Sequence, residues 1–98
     1  DSAMNKTRIH TALNKASSAH TEARYAAQAI SEASSDLAKA QKAWDDAFAA
    51  ADKDPLVAGA KVTRAQYESQ IAVTSAREAS KKAALALKAA IVAERAGR

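Results

Sequence analysis

The chain has 98 residues and a formal net charge of +4, with no cysteine, two glycines and one proline. That length leaves room for at most one domain, and the absence of cysteine excludes disulfide staples and thiolate chemistry. No apolar run approaches the length of a membrane span, and the N-terminus lacks a signal-peptide core, so the chain reads as a soluble piece excised from a larger protein.

Alanine fills 29 positions and only 18 apolar side chains are larger. Alanine is the best helix former, because it loses no side-chain entropy in a helix. So few bulky residues cannot fill a thick core, since burial stabilises in proportion to apolar area. The composition predicts a thin, elongated, all-α body.

Helix 1 is expected over residues 3–52. Stepping by seven from Ile9 gives Ile9, Ala16, Ala23, Ile30, Leu37, Trp44 and Ala51. Offsetting by three gives Ala12, Ala19, Ala26, Ala33, Ala40 and Ala47. These two rows read as an a/d seam. At 1.5 Å per residue such a helix is about 75 Å long.

The turn falls in "AAADKDPLVAGAKV", the only stretch that gathers Asp, Pro and Gly. Two restarts of the helix are open. Asp54 and Pro55 read as an N-cap followed by proline at the first helical position. Thr63 and Gln66 have capping-box spacing, with Gly59 as the turn residue before them. The tip is placed at 53–59 and helix 2 over about 60–97. A short connection makes antiparallel neighbours, so the fold expected is a long antiparallel two-helix coiled-coil hairpin with an alanine-rich seam.

In helix 2, Ala65, Ala72, Ala79, Ala86 and Ala93 form one row, and Val62, Ser69, Ala76, Ala83 and Ala90 the other. Alanine contacts allow close approach of the helix axes, and Ile30, Leu37 and Trp44 are expected to sit over small partners. Ile71, Leu85 and Val92 on one side of this seam, with Val73 and Leu87 on the other, make an apolar face wider than a two-helix contact needs. Folding at residue 56 pairs Arg98 with a position near residue 14. Met4, Ile9 and Leu13 are then left without a partner in the chain. Both features predict self-association or a further covering surface.

Charge is uneven, with a net of +5 over residues 61–98 and neutrality over residues 1–51. No aromatics interleave with the basic residues, so a solvated helix face is favoured and no nucleic-acid partner is expected. His10 and His20 lie three turns apart and cannot share a metal. Asp52 and Asp54 lack the glycine and glutamate of a calcium loop. Asp45 and Asp46 are adjacent and point to different parts of the helix surface, against an acid and base pair. No catalytic residue, metal site or cofactor is expected.

Trp44, Phe48 and Tyr67 lie within about twelve residues of the turn, where Leu56 and Val57 add aliphatic bulk. They can plug the splayed end of a hairpin or anchor a partner, because Trp and Tyr are enriched at binding hot spots. The tip Asp54, Pro55, Leu56, Val57 and Gly59, supported by Trp44, Phe48 and Tyr67, is the predicted partner site.

The alanine-rich helices dotted with Lys and Asp, the tip "DPLVAG" and "RAQ" at Arg64 to Gln66 resemble the receptor-binding coiled-coil hairpin of colicin-type nuclease bacteriocins. The likeness spans roughly Glu22 to Lys88. It implies a secreted or cell-surface toxin module without catalysis, whose apex, here residues 54–59, binds an outer-membrane transporter. The tip is shorter and poorer in aromatics than in that family. A type VII-secreted helical hairpin has a similar length, but this chain lacks its Trp-x-Gly turn. A structural or self-assembling stalk of a larger alanine-rich surface protein or toxin is the other alternative.

Overall fold

A computed structural model describes residues 2–97, with side chains from residue 5 onward. The Met4 side chain and Arg98, for which the sequence predicts an unpartnered and a paired position, lie outside the described residues. Two α-helices account for the architecture: α1 (Ser2–Ala51) and α2 (Pro55–Ala96). The chain is an all-α, two-helix antiparallel hairpin. It divides into two units. The turn unit comprises residues 29–78, and the terminal unit comprises residues 2–28 with 79–97.

The turn is three residues long and contains no left-handed residue. The Lys53 and Asp54 amides both donate to the Ala50 carbonyl, at 3.0 and 3.2 Å, which closes α1. Asp54 then starts α2: its Oδ1 accepts from the amides of Leu56 (3.1 Å) and Val57 (3.4 Å). The Asp54 carbonyl accepts the first intrahelical bond from the Ala58 amide at 2.8 Å. Pro55 follows at a position where its missing N–H costs nothing.

Of the two restarts open in the sequence, the chain therefore takes Asp54–Pro55. Helix 2 starts five residues earlier than the expected residue 60, and Leu56, Val57 and Gly59 belong to α2 rather than to a loop. Thr63 caps nothing; its hydroxyl donates back to the Gly59 carbonyl at 3.2 Å. Glycine is not needed at 59, where φ is negative and an added Cβ meets nothing within 4 Å.

In the turn unit the buried apolar residues are all alanines: Ala29, Ala40, Ala47, Ala58, Ala65 and Ala72. Their spacing fixes the seam. One row of α1 is the expected one through Ala33, Ala40 and Ala47; the other runs through Ala29, Asp36, Ala43 and Ala50. On α2 the expected row through Ala65 and Ala72, extended back to Ala58 by the earlier start of the helix, is joined by Lys61, Glu68 and Ser75. The helices have thus turned by one row from the expected seam.

Ile30 and Leu37, expected over small partners, are 54% and 62% exposed. The physical reason is the close approach that alanine permits: a contact line of methyl groups leaves no gap deep enough for a branched side chain. Three of the polar residues admitted to the seam, Asp36, Ser75 and Glu68, are paired. Ser75 Oγ donates to Asp36 Oδ2 across the helices. Glu68, 9% exposed, accepts from Arg64 Nη2 at 2.9 Å.

The terminal unit has the same kind of interior. Ala26 and Ala79 are buried, with Ala12, Ala19, Glu22, Ala86, Ala89, Ala93 and Ala96 half-buried. Lys82 lays its ammonium 5.9 Å from the centroid of the Tyr25 ring, joining α2 to α1 by a cation–π contact. Side chains 5–11 are all exposed, Ile9 among them, and Leu13 is exposed as well.

Candidate functional site

The bulky residues excluded from the seam lie on the outer faces of the helices and are the candidate site. Seventeen apolar side chains larger than alanine are described; fifteen are exposed, and Trp44 and Ile71 are half-buried. Such an inversion makes these residues the candidate interaction surface, because scattered exposed apolar residues are ordinary but aligned ones are not.

In the turn unit they are aligned. On α1, Ile30, Leu37, Trp44 and Phe48 occupy two adjacent rows beside the seam, with Ser34, Gln41 and Ala51 between them. On α2 the corresponding rows hold Val62 and Val73 with Gly59, Gln66, Ser69 and Ala76. None of these thirteen residues carries a charge. Trp44 ties the two helices together on this flank, its Nε1 donating to Ser69 Oγ at 2.7 Å. Phe48 lies 6.3 Å from it, centroid to centroid, at a tilt of 39°. Beside them runs a groove of about 370 Å³, lined by Leu37, Gln41, Trp44, Ser69, Val73 and Ala76 among others.

The opposite flank is mixed, with an uncharged groove lined by Tyr67, Gln70, Ile71, Thr74 and Ser75 and a charged one beside it. A groove of about 320 Å³ there is lined by Lys39, Lys42, Lys61 and Arg64 with Asp46 and Glu68. Tyr67 stands on this side, its ring 6.0 Å from the Arg64 guanidinium carbon.

The predicted partner residues are therefore not one cluster. Trp44 and Phe48 are together on the uncharged flank, while Tyr67 is on the opposite one. Asp54 and Pro55 form the cap, with Leu56 (88% exposed) and Val57 beside it on the first turn of α2. Gly59 lies one turn further on. Sequence reasoning missed Leu37, Gln41, Ser69, Val73 and Ala76 as groove residues. The signal was available, since the rows on either side of Trp44 and Ser69 are free of charge.

Among the described residues, no three His, Asp or Glu side chains are placed to hold a metal ion. Among the described residues, no helix is long and apolar enough to cross a membrane. No protein-family model matches the chain, and no curated protein or solved structure is similar enough to count as a match.

Proposed function

We propose that this chain is a non-catalytic helical hairpin that presents its turn to a protein receptor at a cell surface, as the receptor-binding hairpin of a bacteriocin-like toxin does. The observation that supports this reading is the exposure of bulk at the turn. Leu56 and Phe48 are 88% and 73% exposed on helices that a three-residue capped turn joins. A capped turn between packed helices is ordered before it docks, so little conformational entropy is lost on binding. The receptor proposed is an outer-membrane transporter, and the module is proposed to act outside the cell that makes it.

Replacing Leu56 and Val57 together by Ser tests this. Both are exposed, so the helices should form as in the parent. Binding to outer-membrane fractions is expected to fall at least about tenfold, the size of effect an anchor residue produces. Unchanged binding, or no binding by the parent chain, rejects the receptor role.

A further inference from the structure

The uncharged flank of the turn unit adjoins the tip and shares Trp44, Phe48 and Gly59 with the predicted partner site, but excludes Leu56 and Val57, and we infer that it pairs with the same flank of a second copy about a two-fold axis parallel to the helices. Three observations carry this. First, the thirteen positions of the flank contain no charge, whereas the opposite flank carries Lys39, Lys42, Lys61, Arg64, Asp46 and Glu68 around one groove. A copy can therefore approach the middle of this face without desolvating an ion, with Arg77, which shares a groove with Ser69 and Val73, and Asp45, which accepts from Gln41 Nε2 at 3.0 Å, left at its outer edge.

Second, size is divided between the two helices. Ile30, Leu37, Trp44 and Phe48 are on α1, while α2 offers Gly59, Ser69 and Ala76 with two valines, Gln66 being its one long side chain. An isologous contact must be self-complementary, so large residues of one copy have to meet small residues of the other. An axis parallel to the helices lays α1 of each copy over α2 of its partner and satisfies that condition. An axis across the helices sets α1 on α1, bulk against bulk, and leaves the small residues of the two α2 helices facing each other across a gap.

Third, the heights match. Trp44 bonds Ser69, and Leu37 and Ala76 each lie two turns from that pair in the same direction along the hairpin. Leu37 and Trp44 of one copy then stand level with Ala76 and Ser69 of the other. The existing groove beside Trp44 receives them. Both turns point the same way, so the dimer would present two tips together.

Sedimentation equilibrium of the full chain from about 1 to 100 µM tests the pairing. A dimer is expected. Leu37→Glu, which buries an unpaired charge in the contact, is expected to weaken it at least about thirtyfold, while circular dichroism shows the helices retained. Val73→Glu should do the same from α2, and Tyr67→Glu on the opposite flank should leave the dimer unchanged. A spin label at Lys53→Cys should report copies within about 25 Å of one another, against about 40 Å if the turns point opposite ways. A strict monomer over this range, species larger than a dimer, dimerisation unaffected by both Leu37→Glu and Val73→Glu, or the longer label distance each overturns the proposal. The Leu56 and Val57 variant is expected to dimerise normally, so failure of the receptor role and failure of the pairing are read separately.

Discussion

The seam and the uncharged flank of the turn unit lie side by side and follow opposite rules. Along the seam, Ala40, Ala47 and Ala65 are 3%, 4% and 0% exposed, and no larger apolar side chain is buried with them. On the flank, Leu37 and Phe48 are 62% and 73% exposed. In most helical pairs bulk fills the interior and small or polar residues face water. Here the interior is set by how closely two backbones approach, and bulk becomes a property of the surface. The lesson is that heptad spacing locates a contact line, while side-chain size decides on which side of that line the bulky residues fall.

The sharpest way to break this contrast is to place bulk in the seam. Ala65→Leu must push the axes apart or strain its rotamer, and a loss of about 1–3 kcal/mol is expected. For a chain of this size that lowers the melting temperature by about 4–8 °C per kcal/mol. An unchanged melting curve means that the seam has room the structure does not show.

Next in size is the turn. Asp54→Ala removes the acceptor of the Leu56 and Val57 amides and should cost about 1 kcal/mol in urea unfolding. Asp54→Asn, which keeps an acceptor, should recover most of that. Equal loss in both variants would show that the aspartate acts through its charge rather than as a cap.

Trp44→Phe keeps a ring on the flank but gives up the bond to Ser69, for an expected loss of about 0.5–1.5 kcal/mol. Paired with Ser69→Ala in a double-mutant cycle, the two losses should be less than additive. Full additivity would place the tryptophan off the hydroxyl. The smallest effect is a gain: Gly59→Ala meets no neighbour and should stabilise by about 0.4–1 kcal/mol through the unfolded chain. A loss there would mean that residue 59 belongs to a loop after all.

Much of this was legible in the sequence. The two helices and the rows through Ala12 to Ala47 and through Ala65 to Ala93 follow from alanine content and spacing alone. The second row of each seam did not, because on either side of an alanine row lies a neighbour that satisfies the heptad. The row of Ile30, Leu37 and Trp44 is the more apolar choice for α1. The chain instead uses the row of Glu22, Ala29, Asp36, Ala43 and Ala50. Asp36 becomes acceptable there through a tertiary partner, Ser75, and that partner is invisible until the helices are docked. Gly59 misled for a related reason: glycine signals a turn only where positive φ is required, and this turn requires none.

The placement of the candidate-site residues was half legible. Clustering of Trp44, Phe48 and Tyr67 near the turn is visible in the sequence, but their separation onto two flanks depends on the orientation of the seam. The charge-free rows are visible in the sequence, but that they share one flank appears only once that orientation is fixed.

The most direct measurement of the inversion uses the absence of cysteine in the native chain. Ala65→Cys and Leu37→Cys are made separately and alkylated at a concentration where each is monomeric by sedimentation. Leu37→Cys is predicted to react like a free thiol, and Ala65→Cys at least about tenfold more slowly, because its thiol is reached only through opening of the helix pair. Equal rates, or faster reaction at position 65, would contradict an alanine interior with bulk outside.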